Sequence, residues 1–377
     1  MQNQNEKILE QKHNNTVKDE QKPPIYSKNK VALSRIKRRI FKHVWLARAG
    51  IIVLLAIFTL LFFWMIGHIL IKTHSSSFPS LVKNFIFAPA GAVKSFEDRS
   101  NILILGKSGS GNDSPDLTDT LILASVGIDT PSISLISLPR DIWVPAIRAK
   151  LNSAYYWGNQ KETGGGIVLV KSLVEEIVGV PVEYALVVDF SGFKEIIDVL
   201  GGIEVDVEQS FVDEKYPIAG RENDECGGDK EYKCRYETVS FEKGKVIMNG
   251  ETALKFVRSR NAQGDEGTDI AREARQQKII LAIKDKILSP ATLFSPKKIL
   301  GLWEVAKSSI ETDIPSSAGG VLLRKAFSAR ESVTSFVIPE DYLVNPPISP
   351  RYDSQYVFLP SGGDWKTVHE WVGTKLK

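Results

Sequence analysis

The chain has 377 residues, of which 43% are hydrophobic and 25% are charged, and its formal net charge at pH 7 is +3. Its five histidines are too scattered to suggest a Ser-His-Asp hydrolase, and its two cysteines have no nearby histidine that would complete a metal site. The sequence contains no internal repeat, which excludes repeat architectures.

The first 48 residues are strongly basic and poor in apolar side chains. They hold 12 Lys/Arg against four Asp/Glu, a net charge of +8 that leaves residues 49–377 at −5. We predict a disordered cytoplasmic tail that contacts anionic lipid headgroups. A DNA-binding regulator is the lowest-ranked alternative, because residues 1–48 contain no helix-turn-helix signature, and we expect no nucleic-acid partner.

An apolar segment, AGIIVLLAIFTLLFFWMIGHILI, occupies residues 49–71. It has no formal charge and exceeds the roughly 20 residues that cross a bilayer as a helix. Lys/Arg residues crowd before it and only Lys72 follows closely, so the N-terminus is expected in the cytoplasm and residues 72–377 outside. The long basic tail disfavours a cleavable signal peptide. The sequence therefore predicts a single-pass protein of the cell membrane.

After a linker at residues 72–94, short apolar strands alternate with helical patterns. Strands are predicted at 102–105, 121–126, 133–138, 184–188, 203–207 and near 335–338. Helices are predicted at 167–178, 193–200, 250–256, 269–288 and near 317–329. Ser191 and Asn249 are the expected N-caps of the second and third helices. This order indicates an α/β sandwich with a mixed central sheet and places residues 95–377 in one domain.

Two cysteines stand eight residues apart in the polar stretch GRENDECGGDKEYKCRYE. In a compartment that permits disulfides, Cys226 and Cys234 could close a small loop. Two free thiols are the alternative.

Arginines concentrate in RSRNAQGDEGTDIAREARQ, which spans residues 258–276. On a helix, Asp269, Arg272 and Gln276 share one face, and an extended segment points Arg258 and Arg260 the same way. Several guanidinium groups that converge on one point suit phosphate oxygens, because each can donate two parallel hydrogen bonds. The alternative is a solvated helix with surface salt bridges.

Carboxylates and further cations stand near the ends of the early strands. Asp119 begins one strand, Arg140-Asp141 follows the next, and Lys150 comes shortly after. Ligands of open α/β sheets gather at the carboxyl ends of strands. Asp119 and Asp141 could hold a divalent cation that, with the arginines, clamps a di- or triphosphate, or they could be capping residues. The run GKSGSGNDS from Gly106 lacks the Walker A spacing.

Six segments, in this order, resemble the LytR-CpsA-Psr family of membrane-anchored cell-wall enzymes. They cover most of residues 95–290 and read TDTLIL (118–123), SLPRDIWV (137–144), KLNSAYYWG (150–158), VDFSGFKEIIDVLGGIEVDV (188–207), MNGETALKFVRSR (248–260) and DIAREARQQ (269–277). The resemblance implies a single-span anchor and transfer of a glycopolymer from a polyprenyl-pyrophosphate carrier to a peptidoglycan hydroxyl, which forms a phosphodiester. It also implies an apolar cavity for the lipid tail.

The resemblance also implies roles for individual residues. Asp119 and Asp141 would act through Mg²⁺, or Mn²⁺, or as acid and base, with Arg140 as the third catalytic group. The phosphates would be bound by Arg140, Arg258, Arg260, Arg272, Gln276 and Lys150, while Asp269 would orient neighbouring arginines. Leu117 departs from the family, which usually has an arginine there. The stretch around Cys226 and Cys234 and the residues between Arg260 and Asp269 resemble insertions.

Two other functions are compatible with the same residues. A pyrophosphatase would trim the lipid carrier with water as the acceptor. A receptor without catalytic activity would bind polyprenyl phosphate or wall glycan.

Overall fold

The computed structural model describes residues 48–61, 77–110 and 114–377. Residues 48–61 are helical, and the rest of the predicted membrane segment, like residues 1–47, lies outside the described residues. None of the helices in these three ranges is long and apolar enough to cross a membrane. The chain divides into two units, Met1–His74 and Ser75–Lys377.

The second unit contains alternating strands and helices. Its helices are α1 (Ser77–Phe87), α2 (Ala154–Lys161), α3 (Gly165–Val178), α4 (Phe190–Leu200), α5 (Gly250–Arg258), α6 (Asp269–Ile287), α7 (Pro290–Leu293), α8 (Pro296–Ser309), α9 (Ser316–Ser328) and α10 (Lys366–Lys375). Its strands are β1 (Arg99–Lys107), β2 (Thr118–Gly127), β3 (Ile133–Ser137), β4 (Trp143–Val144), β5 (Ala149–Lys150), β6 (Tyr184–Asp189), β7 (Ile203–Val207), β8 (Phe211–Pro217), β9 (Tyr236–Phe241), β10 (Gly244–Met248), β11 (Ile310–Thr312), β12 (Val333–Val337), β13 (Leu343–Val344) and β14 (Leu359–Pro360).

Six of these strands form a mixed central sheet in the order β11-β6-β1-β2-β3-β12. The pairs β1–β6 and β3–β12 are parallel, and the other neighbours are antiparallel. Leu123 at the centre of β2 lies opposite Leu103 of β1 and Ile136 of β3, and all three side chains are fully buried. The continuous apolar runs of the sequence are typical of strands covered on both faces. The prediction of a mixed α/β fold is confirmed.

Helices cover both faces of this sheet. On one face, Leu103 and Leu123 pack in a core with Val170 and Val174 of α3 and with Val372 of α10. On the other face, the core contains the following residues of β2, α9 and α6: Ile122, Ala124, Ala318, Val321 and Ile280. Burial of apolar surface on both faces stabilises the sheet by roughly 25 cal/mol per Å² removed from water.

A separate core lies in a lobe formed by α4, α5, β7 to β10 and part of α6. Phe211, Phe241 and Phe256 stack at its centre, with ring centroids 5.1 to 6.0 Å apart. This lobe matters for function because α5 and β8, which it holds in place, both contribute residues to the cleft described below.

The predicted linker over residues 72–94 includes helix α1. Gly320 of α9 explains its packing: a Cβ atom at this position would lie 2.6 Å from the Phe85 nitrogen, so only glycine permits this approach. Arg324 of α9 then donates to the carbonyl oxygens of Phe85 (2.8 Å) and Ala88 (2.7 Å). These bonds satisfy acceptors that the end of a helix otherwise leaves open.

Helix α4 begins earlier than predicted, and Ser191 is not its N-cap. The Asp189 carboxylate accepts a hydrogen bond from the Gly192 nitrogen at 2.8 Å and caps the helix. The prediction of Asn249 as the cap of α5 is confirmed, since its side chain accepts from the Thr252 nitrogen at 2.9 Å.

Cys226 and Cys234 form a disulfide bond in the long connection between β8 and β9. Arg235 supports the same connection: its Nε donates to the Asp224 carbonyl at 2.7 Å, and its guanidinium lies 4.0 Å from the Tyr232 ring.

Candidate active site

A polar cleft of about 490 Å³ opens where the sheet meets the lobe. Seven of the predicted site residues line it: Asp119, Arg140, Arg258, Arg260, Asp269, Arg272 and Gln276. Residues separated by more than 150 positions in the sequence therefore meet at one point. The other lining residues are Thr120, Phe190, Lys215, Pro217, Tyr236, Val257, Asn261 and Gly267.

Arg140 lies between two carboxylates. Its Nη1 atom forms an ion pair with Asp119, and its Nε atom donates to Asp141 Oδ2 at 3.3 Å. Burial disfavours the charged guanidinium, but the neighbouring Asp119 and Asp141 outweigh burial and raise the pKa of Arg140. Arg140 is therefore a fixed positive charge at the floor of the cleft.

Asp141 and Lys150 lie behind Arg140 and do not line the cleft. Asp141 is buried, and its Oδ1 atom accepts from Lys150 Nζ at 2.7 Å while Oδ2 accepts from Arg140. Both carboxylate oxygens are thus bonded to cations. In this arrangement Asp141 orients Arg140, and Lys150 balances the negative charge of Asp141.

Arg258 is the last residue of α5, and its side chain packs against two aromatic rings. Its Cζ atom lies 4.6 Å from the Phe190 ring centroid and 5.6 Å from that of Tyr216, and Nη1 donates to the Tyr216 hydroxyl at 3.4 Å. Burial raises the pKa of Tyr216, although Arg258 opposes this shift. Aromatic contacts orient a guanidinium through its face and leave its edge donors available to a ligand.

Arg260 is exposed, and among the residues that the structure describes it has no ion-pair partner. The backbone fixes its position: its nitrogen donates to Asp213 Oδ2 at 3.0 Å, and the same oxygen accepts from the Asn261 nitrogen at 3.2 Å. Asp213 is fully buried in β8. Sequence reasoning missed Asp213 because nothing in its neighbourhood shows that β8 lies beneath the Arg260 loop.

The first turn of α6 supplies the remaining charges. Thr268 caps the helix, and Asp269 Oδ1 accepts from Arg272 Nη1 at 3.0 Å. Arg272 is buried, which lowers its pKa, and the positive charges of Arg140 and Arg260 lower it further. Its Nε atom has no hydrogen-bond partner among the described residues. A helix N-terminus with crowded, incompletely paired guanidinium groups favours a bound anion.

Arg275, which the sequence groups with these arginines, does not line the cleft. It is buried and donates to the carbonyl oxygens of Phe256 (3.0 Å), Ser259 (2.6 Å) and Glu266 (2.8 Å). Its role is structural, because these bonds attach the end of α5 and the following loop to α6.

Glu273 follows Arg272 on α6 and is almost completely buried. Burial raises its pKa from 4.5 to about 7, although Arg272 opposes the shift. Its Oε2 atom has no partner among the described residues. Glu273 faces a small cavity of about 40 Å³ that Arg140, Asp141 and Arg272 also line.

An apolar cavity of about 180 Å³ adjoins the cleft. The two share Thr120, Phe190, Val257 and Gln276, so the polar cleft continues into apolar surroundings. Aliphatic and aromatic residues of β1, α4, α5 and α6 line the cavity, namely Ile104, Phe193, Ile196, Leu254, Ile279, Ile280 and Ile283.

For a metal ion, the cleft provides the carboxylates of Asp119 and Asp269, which are both partly exposed and each paired with an arginine. The oxygens of Asp141 are bonded to cations, as described above. In the described ranges, one set of three His, Cys, Asp or Glu donors lies close together, namely Asp224 with Cys226 and Cys234. That set contains the disulfide, and its residues do not line the cleft.

The β8–β9 hairpin contributes cleft residues that the sequence did not predict. The hairpin residues that line the cleft are Lys215, Pro217 and Tyr236. The Asn261 Nδ2 atom donates to the Lys215 carbonyl at 2.9 Å. Of these residues, Tyr236 lies in the stretch around Cys226 and Cys234 and Asn261 lies between Arg260 and Asp269, the two segments that resemble insertions, whereas Lys215 and Pro217 lie outside both. Leu117, which replaces the usual arginine, does not line the cleft.

Comparisons with known proteins agree with this architecture. A model of the LytR_cpsA_psr family matches residues 77–369. Polyisoprenyl-teichoic acid–peptidoglycan teichoic acid transferase TagV of Bacillus subtilis is 28% identical over 261 residues, or 67% of this chain and 58% of TagV. The similarly named TagU of Oceanobacillus iheyensis is 27% identical over 245 residues, or 64% of this chain and 67% of TagU.

The crystal structure of B. subtilis TagV has the same fold. It aligns with a TM-score of 0.52 and 24% identity over 75% of this chain and 98% of the TagV chain. The sequence match to TagV extends over 58% of that protein's length. Since the family model covers most of the described unit, the chain belongs to the LytR-CpsA-Psr family.

Proposed function

We propose that the protein is a membrane-anchored phosphotransferase that moves a glycopolymer from a polyprenyl-pyrophosphate carrier to a peptidoglycan hydroxyl. The observation that carries this proposal is the junction of a cleft rich in guanidinium groups with an apolar cavity. A polyprenyl pyrophosphate has the same two parts, a highly charged head and an apolar tail. The names of TagV and TagU support the same reaction class.

The head of the carrier would bind Arg258, Arg260 and Arg272. Arg258 and Arg272 line the cleft, Arg260 is exposed, and the buried Nε atom of Arg272 has no hydrogen-bond partner among the described residues. Charge-assisted hydrogen bonds to phosphate are roughly twice as strong as neutral ones. The first isoprene units would enter the apolar cavity between Phe193 and Ile283.

Transfer needs alignment and charge stabilisation more than a covalent nucleophile. The acceptor oxygen attacks the phosphorus atom that carries the glycan, and its proton moves to Asp119. The bond from this phosphorus to the bridging oxygen breaks, and polyprenyl monophosphate leaves with the electron pair. Arg258 and Arg260 stabilise the charge that develops on the leaving group.

We also propose Mg²⁺, or Mn²⁺, as a cofactor. Mg²⁺ is usually held by one or two carboxylates together with substrate phosphates. Asp119 fits this role, because its carboxylate faces the cleft. Asp141 could join only if Lys150 or Arg140 released one of its oxygens. When bound, the ion would neutralise charge on the phosphate oxygens.

The proposed location of the domain is the outer face of the cell membrane. The support is the basic tail followed by the apolar residues 49–71. Reporter fusions at residue 20 and at the C-terminus should indicate cytoplasm and exterior respectively, and a cytoplasmic C-terminus would exclude this location.

The test uses the full chain, a short-chain polyprenyl-pyrophosphoryl saccharide and a peptidoglycan fragment, with and without EDTA. Asp119→Asn should abolish turnover but retain carrier binding, because Asp119 acts on the proton or the metal ion and not on the tail. Release of the saccharide phosphate to water alone would indicate a pyrophosphatase. Carrier binding without turnover on any acceptor would indicate a receptor.

A further inference from the structure

A second cleft, of about 840 Å³, shares no lining residue with the phosphate cleft. It lies between β4, the end of α3 and the C-terminal segment. Trp143 and Tyr352 form part of its floor, with ring centroids 5.7 Å apart in an edge-to-face contact. Trp365, which precedes α10, lines it as well and is half-buried.

Charged side chains of both signs surround this aromatic floor. Arg351, Lys366 and Glu176 are exposed and have no ion-pair partner within the described part of the chain. Arg148 pairs with Asp353 at 2.8 Å, but 69% of the Arg148 side chain is exposed, and such surface pairs are weak. A ligand could therefore use these donors and acceptors at little cost.

The composition of this second cleft distinguishes its ligand from a phosphate. Guanidinium groups dominate the first cleft, whereas the lining of the second cleft contains both cations and the carboxylates of Glu176 and Asp364. Carboxylates accept hydrogen bonds from hydroxyls, and Arg and Lys donate to hydroxyls or to acids. Aromatic rings supply apolar contact in a site that a few polar groups make specific. A saccharide that carries a carboxylate, directly or on an attached peptide, has this combination of groups.

The second cleft is joined to the catalytic residues through a short, hydrogen-bonded segment. The Phe358 nitrogen donates to the Asp141 carbonyl at 3.0 Å, and the Trp143 nitrogen donates to the Phe358 carbonyl at 2.9 Å. Trp143 also pairs with Lys150 in the β4–β5 ladder. Arg140 and Trp143 are three residues apart, which limits their Cα separation to about 10 Å.

We propose that this second cleft binds an acidic saccharide and holds the acceptor glycan beside the phosphate cleft. The assignment of the saccharide as the acceptor rests on the proposed function. The assignment of saccharide binding rests on the cleft alone.

The test compares full-length protein with the double variant Arg351→Glu/Lys366→Glu. Both residues are exposed, and the one contact with the floor that they contribute is that of Arg351, whose guanidinium lies 5.6 Å from the Tyr352 ring centroid in the described structure. Binding of a soluble disaccharide-peptide fragment of peptidoglycan should weaken at least about tenfold, the effect of losing one charged contact. The KM for this acceptor should rise similarly, while carrier binding stays unchanged. Lys297→Glu/Lys307→Glu, which makes the same charge change on α8, should bind the fragment like the wild type.

The outcomes separate the two proposals. Arg258→Ala/Arg260→Ala should still bind the fragment, because the phosphate cleft is separate. Transfer by the wild type together with unchanged fragment binding by the Arg351/Lys366 variant would overturn the saccharide site and leave the proposed function standing. In the opposite case, the wild type would show no transfer but would bind the fragment in a way that depends on Arg351 and Lys366. This result would support the saccharide site and contradict the proposed function.

Discussion

Three arginines of the phosphate cleft are held in different ways, and this determines what their substitution can show. Arg272 is buried against Asp269, so its removal would affect folding as well as binding. Arg258 is packed on Phe190 and Tyr216. Arg260 is exposed and positioned by its backbone through Asp213. Arg260 is therefore the cleanest probe of the phosphate interaction.

Arg260→Ala should lower kcat/KM for carrier by about 1.5–3 kcal/mol, or roughly 10- to 150-fold, because one charge-assisted contact is lost. Arg260→Lys should recover only part of this loss, since an ammonium group cannot donate the paired bonds of a guanidinium. Steady-state transfer assays give both values, and unfolding curves should coincide with the wild type. Full activity of Arg260→Lys would show that a point charge is sufficient.

Glu273 makes stability depend on pH in a direction that can be predicted. Its proton leaves near pH 4.5 in the unfolded chain and near pH 7 in the folded protein. Between these pH values the folded state binds more protons than the unfolded state. The contribution of Glu273 to the free energy of unfolding therefore declines as pH rises and is constant above pH 7. Glu273→Gln, which keeps the shape without the charge, should gain up to about 3 kcal/mol relative to wild type between pH 4.5 and 7.5. Denaturant unfolding of both proteins at several pH values measures this difference. If the free energy of unfolding had the same pH dependence in the wild type and in Glu273→Gln, this would contradict the raised pKa of Glu273.

The sequence predicted most charged residues of the phosphate cleft, since each stands in a motif near the end of a strand or helix. It did not predict Asp213 or Lys215, because their roles depend on a fold that brings β8 beneath the Arg260 loop. Arg275 was grouped with the cleft arginines, but its bonds to backbone carbonyls give it a structural role. Spacing along a helix cannot distinguish an arginine that binds a ligand from one that binds carbonyls.

At the scale of elements, the contact between α1 and α9 depends on glycine. A Cβ atom at Gly320 would lie 2.6 Å from a backbone nitrogen, whereas one at Gly319 would make ordinary contacts with the side chains of Leu81 (3.4 Å) and Ile314 (3.6 Å). This contact explains why a segment predicted as linker is a packed helix. The sequence HSSSFPS gives no sign of it, because the partner helix lies more than 200 residues away.

Gly320→Ala should destabilise the protein by about 1–3 kcal/mol, because backbone atoms must move to admit the methyl group. Gly319→Ala is the matched control and should be neutral or stabilising by up to about 1 kcal/mol, since alanine favours a helix. Thermal and denaturant unfolding of both variants makes the comparison. Equal stability of the two would show that α1 does not pack against Gly320.

Five of the six strands of the central sheet were predicted, because buried strands produce apolar runs, but the short edge strand β11, with the sequence Ile-Glu-Thr, was not. The β8–β9 hairpin was not predicted either, since β8 alternates buried and exposed residues and pairs with β9 across a long polar connection. The disulfide lies in that connection, away from either strand. The same connection contains the stretch around Cys226 and Cys234 that the sequence identified as an insertion.

At the scale of the whole domain, the segment that contains Arg140 and Trp143 contributes to both clefts, since Arg140 lines the phosphate cleft and Trp143 lines the second cleft. The phosphate cleft also adjoins the apolar cavity, because the two share Phe190 and Gln276. The second cleft is reached through Trp143 and Phe358. Two ligands could therefore be bound at the same time, one in each cleft, because the clefts share no lining residue.

The central claim is that the arginine cleft aligns a pyrophosphate for transfer. The most direct measurement is formation of the phosphodiester-linked product by the full chain and by Arg258→Ala/Arg260→Ala, at equal carrier and acceptor concentrations. Loss of two charge-assisted contacts should lower kcat/KM by roughly 3–6 kcal/mol, at least about 100-fold, with the folded state intact. If the double variant formed the product at the same rate as the wild type, this would contradict the assignment of the cleft as the phosphate site.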